Sequence, residues 1–367
     1  MFVAHALALE ASTWYQRGEI NKALGTYDSA LAILDSLKDR AGAADMLTNM
    51  AGMRYFQGKA EEALALYERG LRIHQELHDS AGIANDLGNM GAVYMLRGDH
   101  ARAVDLYERG LRMQEALHNE SGMASAWSNL GLLYMEQDDQ RQALPWFLKA
   151  LHSAEKRGEH KQMGNFMEHV GECYAELGDT ARALGYFDRS QTERETLGDQ
   201  HGLMGVLNAQ GSILLGQGKL KEAVADFQRS LAIGDTLDLH FESTTALIGI
   251  AHVRLLQGDK RAALALAERA MKEATASGGM SLREEAAELL YTVYRSLGRP
   301  ADALAMHELF ITLRDSVSRE ENQRQVLRYE YSIAFQKEAL ADSLNYHERL
   351  FASDTAHAHA MEKERWR

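Results

Sequence analysis

Three asparagines, Asn49, Asn89 and Asn129, recur at intervals of 40 residues. An amide side chain both donates and accepts hydrogen bonds, so such a ladder can pair with the backbone of an extended peptide whatever its side chains are. Asn85 stands one helical turn before Asn89, and Tyr55, Met95 and Met135 repeat in a second register beside the ladder. Methionine adapts its shape to varied partners, so these three would read side chains where the asparagines read backbone. The plainer alternatives are that the amides are solvated or bond between repeats, and that the methionines fill a helical core. Further along the same arc, Glu136, Glu168, Glu172 and Glu176 would form an acidic stretch suited to a basic ligand; an ordinary solvated helix face is the alternative.

Other chemistry is thin. His74 and His78 lie one turn apart beside Asp79, a spacing that can ligate metal. They fall in what reads as an inter-repeat loop, and residues 67–72 recur at 107–112 without the histidines, so no metal site is expected. The single cysteine, Cys173, excludes an internal disulfide. There is no Gly-rich phosphate loop after a strand, no HExxH, and no context for a Ser-His-Asp triad, so neither an enzyme nor a cofactor is expected.

The elements that carry these residues follow from the same 40-residue spacing. Glycine recurs at 18, 58, 98, 178, 218, 258 and 298, with Asp138 at the missing step. Alanine follows five residues after each, from Ala23 to Ala303, and four further on stands a ring in six repeats: Tyr27, Tyr67, Tyr107, Phe147, Phe187 and Phe227. One column of small residues runs through Ala11, Ala51, Gly91, Gly131, Gly171, Gly211 and Ala251, and another through Ala30, Gly70, Gly110, Ala150, Ser190, Ser230 and Ala270. Each repeat therefore reads as two helices around a glycine that can take the left-handed conformation. Asp99, Asp179 and Asp259 are placed to cap the second helix. Only two prolines occur in the chain, and no alternating β-branched runs suggest strands, so helix is expected almost throughout.

The order of small, aromatic, Gly, Ala, aromatic and small residues resembles the tetratricopeptide repeat, over residues 1 to about 318. The repeat here is 40 residues rather than the usual 34 and lacks the closing proline. Longer repeats of this kind are similar to those of kinesin light chains, the spindle adaptor named for its Leu-Gly-Asn repeats, and Rap-type bacterial peptide receptors. The resemblance implies an all-α fold, a right-handed superhelix of eight helix-turn-helix repeats over 1–318 with a charged helical extension over 319–367. It also implies that the first helices line a concave face. At about 100° per residue, Leu87, Gly91 and Tyr94 face the core, while Asn85, Asn89 and Met95 face the groove. Asn49, Asn89 and Asn129 resemble the backbone-clamping asparagines of those receptors. Repeat 8 departs from the pattern at Tyr291, His307 and Phe310, as a terminal repeat does.

In the extension, Val326, Ile333 and Leu340 are seven apart, as are Leu344 and Phe351, a weak coiled-coil seam that would serve dimerisation through 319–351. Residues 314–322, then Tyr329-Glu330-Tyr331 and residues 339–343, resemble the connector after such arrays in sensor proteins of Bacteroidetes-type bacteria. The helix could cap the array, dimerise or lie in the groove. The net charge of −13 disfavours nucleic acid and suits a neutral or basic peptide. No apolar run spans a bilayer, so no membrane contact is expected within the chain. The sequence as given reads as cytoplasmic, and a leader with a following membrane helix would make it periplasmic. The expected function is peptide or protein binding, as the ligand-sensing part of a bacterial signalling protein; the alternative is a constitutive scaffold that assembles partners.

Overall fold

The computed structural model describes residues 2–17 and 19–365, and the side chains of 2–15, 17, 19–337 and 340. Gly18 and the side chains of Leu344 and Phe351 lie outside these. The described residues form sixteen helices and no strand: an all-α helical solenoid. The chain divides into two compact units, residues 1–113 with 323–367, and residues 114–322.

The first unit holds α1 (Phe2–Gln16), α2 (Ile20–Ser36), α3 (Arg40–Phe56), α4 (Ala60–Glu76), α5 (Ser80–Leu96) and most of α6 (His100–Ala116). The second holds α7 (Glu120–Glu136), α8 (Gln140–Arg157), α9 (His160–Glu176), α10 (Thr180–Leu197), α11 (Gln200–Gly216), α12 (Leu220–Leu237), α13 (His240–Leu256), α14 (Lys260–Ser277) and α15 (Met280–Ser296). The last helix, α16 (Pro300–Arg365), belongs in part to each, and runs unbroken through residue 319. Pro300 opens it at the first helical position, where its missing N–H costs nothing.

The backbone repeats twice as often as the side chains do. Every twentieth residue from Lys38 to Gly298 has positive φ, so each turn over that range is made the same way. Turns within a repeat use Gly58, Gly98, Gly178, Gly218, Gly258, Gly298 and, as the sequence suggested, Asp138. The turns between repeats do the same with Lys38, His78, His118 and Asp238, or with Gly158, Gly198 and Gly278. Where the sequence showed only a missing proline, a left-handed residue ends the helix. Asp99, Asp179 and Asp259 accept the backbone N–H three residues on and cap the second helices. Asp39, Asp79, Asn119 and Asp199 do the same for first helices.

Packing within a pair rests on the ring column pressed against the small column. A methyl group on Gly91 would meet the Tyr107 ring at 2.6 Å, and one on Gly131 or Gly171 would meet Phe147 or Phe187 at 2.7 Å. These rings are almost wholly buried. The other small column lets the second helix touch the backbone of the first: Ser190 donates from its hydroxyl to the Gly164 carbonyl at 2.8 Å. No pair closes its own apolar face, so the cores run on from pair to pair. In repeat 8 the departures pack on one another, with Tyr291 and His307 ring centroids 4.7 Å apart.

Within the first unit, the later part of α16 lies against the end of α5. The Arg97 guanidinium stands over the Tyr331 ring at 5.9 Å, and a methyl on Gly98 would reach the Arg328 side chain at 3.6 Å. Arg328, Tyr331, Ser332, Ile333 and Phe335 are half-buried, whereas Val326 and Leu340, which flank Ile333 in the expected seam, are exposed. The covered face thus takes in the middle of the seam that the sequence suggested and leaves the residues seven before and seven after it open.

Candidate functional site

In the first unit a cavity of about 420 Å³ opens among α1, α2, α3, α4 and α5. Its space comes from a column of small residues the sequence reading passed over. Ser12, Gly52 and Ala92 are equivalent positions on α1, α3 and α5, and all three line it. In the second unit the equivalent positions are Leu132, Glu172, Ser212, His252 and Thr292, so the run of three small residues belongs to the first repeats. Opposite them stand Tyr27 and Tyr67 of the ring column, and Tyr15, Tyr55 and Phe56 form an aromatic side. Phe56 is 68% exposed, an uncommon placement for phenylalanine, and its ring lies 5.4 Å from Tyr55 and 6.0 Å from Tyr15.

Polar groups are few and placed at defined points. Ser12 donates to the Ala8 carbonyl at 3.1 Å, so the Tyr27 hydroxyl at 3.0 Å is the donor to Ser12. Tyr67 is the equivalent ring one repeat on, but there Gly52 replaces Ser12. Among the described residues no hydrogen bond engages the Tyr67 hydroxyl, which stands 3.6 Å from where a Gly52 methyl would be. Burial, then the nearby Asp86, pushes the Tyr67 phenol up, so it stays protonated and able to donate. Thr48 on the wall donates to Asp86 at 3.0 Å, and Asp86 meets His74 Nδ1 at 2.7 Å. Asp86 is fully buried, and burial raises its carboxyl pKa while the His74 and Thr48 contacts pull it down. No charged side chain lines the cavity itself.

Asn49, Asn89 and Tyr55 of the sequence reading line this one cavity. Asn49 is exposed and Asn89 half-buried. Asn85 is exposed on α5 and Met95 half-buried there, and neither lines it. Asn129, half-buried on α7, belongs to the second unit. Met135, also on α7, packs against the core cluster around Phe147.

The acidic residues are less available than their spacing suggested. Glu168 pairs with Arg194, a nearly buried guanidinium that also holds Asp199 at 2.6 Å and Asn165 at 3.0 Å. Burial raises the Glu168 pKa, with Arg194 opposing. Glu172 bonds His169 Nδ1 at 3.0 Å, and His169 stacks on Phe147 with centroids 4.9 Å apart. Glu136 and Glu176 are exposed. His74 is buried in the last turn of α4 rather than in a loop, and its Nε2 lies 3.9 Å from Asp79. Among the described residues no cluster of three or more His, Cys, Asp or Glu could hold a metal, and no helix is long and apolar enough to cross a membrane.

Solved structures with this fold include a signal transduction ATPase with numerous domains and a tetratricopeptide repeat sensor, from Pyrococcus horikoshii. It has a TM-score of 0.69 and 14% identity, over 89% of this chain and 49% of that one, so the chain spans about half its length. The apo form of the quorum sensor NprR from B. thuringiensis has a TM-score of 0.56 and 15% identity, over 89% and 98% of the two chains. A Rap protein complexed with Competence and Sporulation Factor has a TM-score of 0.53 and 15% identity, over 86% and 99%. No curated protein matches in sequence. The tetratricopeptide repeat family matches residues 42–116, 122–192 and 202–273. With more than half of its length so matched, and with the helix pairs, turns and ring-on-glycine packing described above, the chain belongs to the tetratricopeptide repeat family.

Proposed function

We propose that the chain is a peptide-binding module, the sensing part of a bacterial signalling protein, and that the cavity of its first unit is the centre of the binding site. The observation that carries this reading is the convergence of Asn49, Asn89 and Tyr55 on one cavity walled by aromatic rings. Binding sites are mostly apolar concavities with a few placed polar groups. The two amides supply a donor and an acceptor each to an extended backbone, and the rings take side chains. The solved complex of a Rap protein with its factor is in keeping with this use of the fold.

Sensing is favoured over a constitutive scaffold by the lie of α16. It leaves the last repeat without a break and rests on the end of α5, the helix that carries Asn89. A ligand that shifts α5 therefore has a mechanical route to the C-terminal helix. Dimerisation through 319–351 would use the exposed Val326 and Leu340.

The test is calorimetric titration with heptapeptides selected from a random displayed library on the full chain. The double change Asn49→Ala and Asn89→Ala removes hydrogen bonds worth about 0.5–1.5 kcal/mol each, so affinity should fall about tenfold or more. The melting temperature should hold, because neither amide is buried and alanine favours helix. Unchanged affinity in a folded double variant would remove the amides from the site.

A further inference from the structure

We infer that the cavity anchors one uncharged aromatic side chain of the peptide, tyrosine ahead of phenylalanine, and that Gly52 and Tyr67 set this preference. The inference rests on the peptide-binding reading and narrows it to a class of ligand residue.

Size gives the first constraint. At about 420 Å³ the cavity lies toward the small end of ligand sites, which run about 300–1,000 Å³. It holds a large side chain with the adjoining backbone, not a folded surface. Charge gives the second. The lining carries no charged group, so an ionised side chain would lose its water and meet no counter-charge. Asp86, behind Thr48 and already hydrogen-bonded to His74, offers no counter-charge to a carboxylate or phosphate. Ring chemistry gives the third. Tyr15, Tyr27, Tyr55, Tyr67 and Phe56 offer edges and faces that favour another ring over an aliphatic chain.

The choice of tyrosine comes from the repeat comparison. In repeat 1 the ring hydroxyl of Tyr27 is satisfied by Ser12. In repeat 2 the serine is glycine, which opens the space and leaves the Tyr67 hydroxyl without that partner. A ligand phenol in the space restores it, since each hydroxyl both donates and accepts. Phenylalanine would fill the volume and leave Tyr67 unpaired. Asn49 and Asn89 beside it make a peptide, rather than a free small aromatic, the frame on which the ring is presented.

The experiment selects heptapeptides on the full chain and measures binding to variants. The recovered peptides should share tyrosine at one position, with phenylalanine next, and replacing it by phenylalanine should weaken binding about fivefold. Gly52→Leu fills the cavity and should weaken binding about thirtyfold, the loss of a hot-spot anchor. Its melting temperature should not fall, because a methyl at that position makes only an ordinary contact and leucine favours helix. Tyr67→Phe deletes one atom, leaves no cavity, and should bring the tyrosine and phenylalanine peptides to equal affinity. A shared position that is charged or aliphatic overturns the inference and spares the peptide-binding reading, and so does a tyrosine preference that survives Tyr67→Phe. Free N-acetyltyrosinamide binding as tightly as the peptides overturns the peptide frame. Failure to recover any peptide overturns both.

Discussion

Asp226 on α12 is half-buried, and burial raises its pKa from 3.8 to about 6, with Asp188 and Glu222 adding to the rise and Arg229 opposing it. The folded chain therefore binds this proton more tightly than the unfolded chain does. Between pH 3.8 and about 6 the folded state holds more protons, so stability falls as pH rises through that window and stays lowered above it. Asp226→Asn should raise the melting temperature at pH 7 and leave it nearly unchanged at pH 4; equal shifts at both would show that the charge is not responsible. Arg194 is the opposite case. Its guanidinium satisfies Glu168, Asp199, Asn165 and Ser190 at once. Arg194→Met strands two carboxylates and should cost about 3 kcal/mol, partly recovered by adding Glu168→Gln, as read from thermal melts. These contacts explain what was legible at this scale. That Asn49 and Asn89 fall at one cavity was legible because they repeat in register on one helix face, with Tyr55 beside them. The pairing of Glu168 with a residue 26 positions away was not, since the column that carries Arg194 reads Leu34, His74, Gln114 and Ala154 in other repeats and announces no charge. The space beside Tyr67 was missed for a related reason: Ser12, Gly52 and Ala92 differ in chemistry and share only small size.

At the scale of helices and turns the sequence was nearly transparent, and the exceptions are informative. Glycine marks a left-handed turn because it lacks a Cβ, so the turns inside repeats stood out. Lys38, His78, His118 and Asp238 adopt the same conformation with ordinary side chains, held there by the helices on either side. A left-handed L-residue costs about 1–2 kcal/mol, and His78 is exposed, so His78→Gly should stabilise by about 1 kcal/mol. A lower melting temperature in that variant would mean that the imidazole serves the turn. Within pairs, the ring column makes glycine obligatory at particular places. Gly171→Ala drives a methyl to 2.7 Å from Phe187 and should cost about 1–3 kcal/mol, with relief from Phe187→Leu. Gly185→Ala, on an exposed face with nothing near, should instead gain about 1 kcal/mol. If the two alanine changes had the same sign, the packing described for the pair would be wrong.

For the molecule as a whole, the sequence showed an array and an appended helix, and the contacts regroup them. Residues 323–367 cluster with the first repeats and not with the repeats they follow. No sequence pattern announces this, because the contact joins residues more than 200 apart through two arginines, a tyrosine and a glycine that are each unremarked locally. The contact is open to hydrogen exchange. Tyr331→Ala in the full chain should speed amide exchange around Arg97 and Gly98 and leave the equivalent turn at Gly58 unchanged. Equal exchange at both turns, before and after, would show that the helix does not hold this end of α5.

The fit of ring to glycine also has a bearing on how such a chain can change over generations. Gly91 with Tyr107, Gly131 with Phe147 and Gly171 with Phe187 are matched halves, whereas Ala251 faces a repeat whose ring position is Ala267, and Tyr291 sits opposite His307. A gene that recombines at Gly178, inside a pair, can join a tyrosine-bearing first helix to a phenylalanine-bearing second one and leave two rings contending for one space. A crossover at Gly198, between pairs, carries both halves across together. Duplication and loss in this lineage therefore have an allowed reading frame of whole pairs, and repeats gained or shed by relatives should be bounded at the turns around residues 38, 78, 118, 158, 198, 238 and 278.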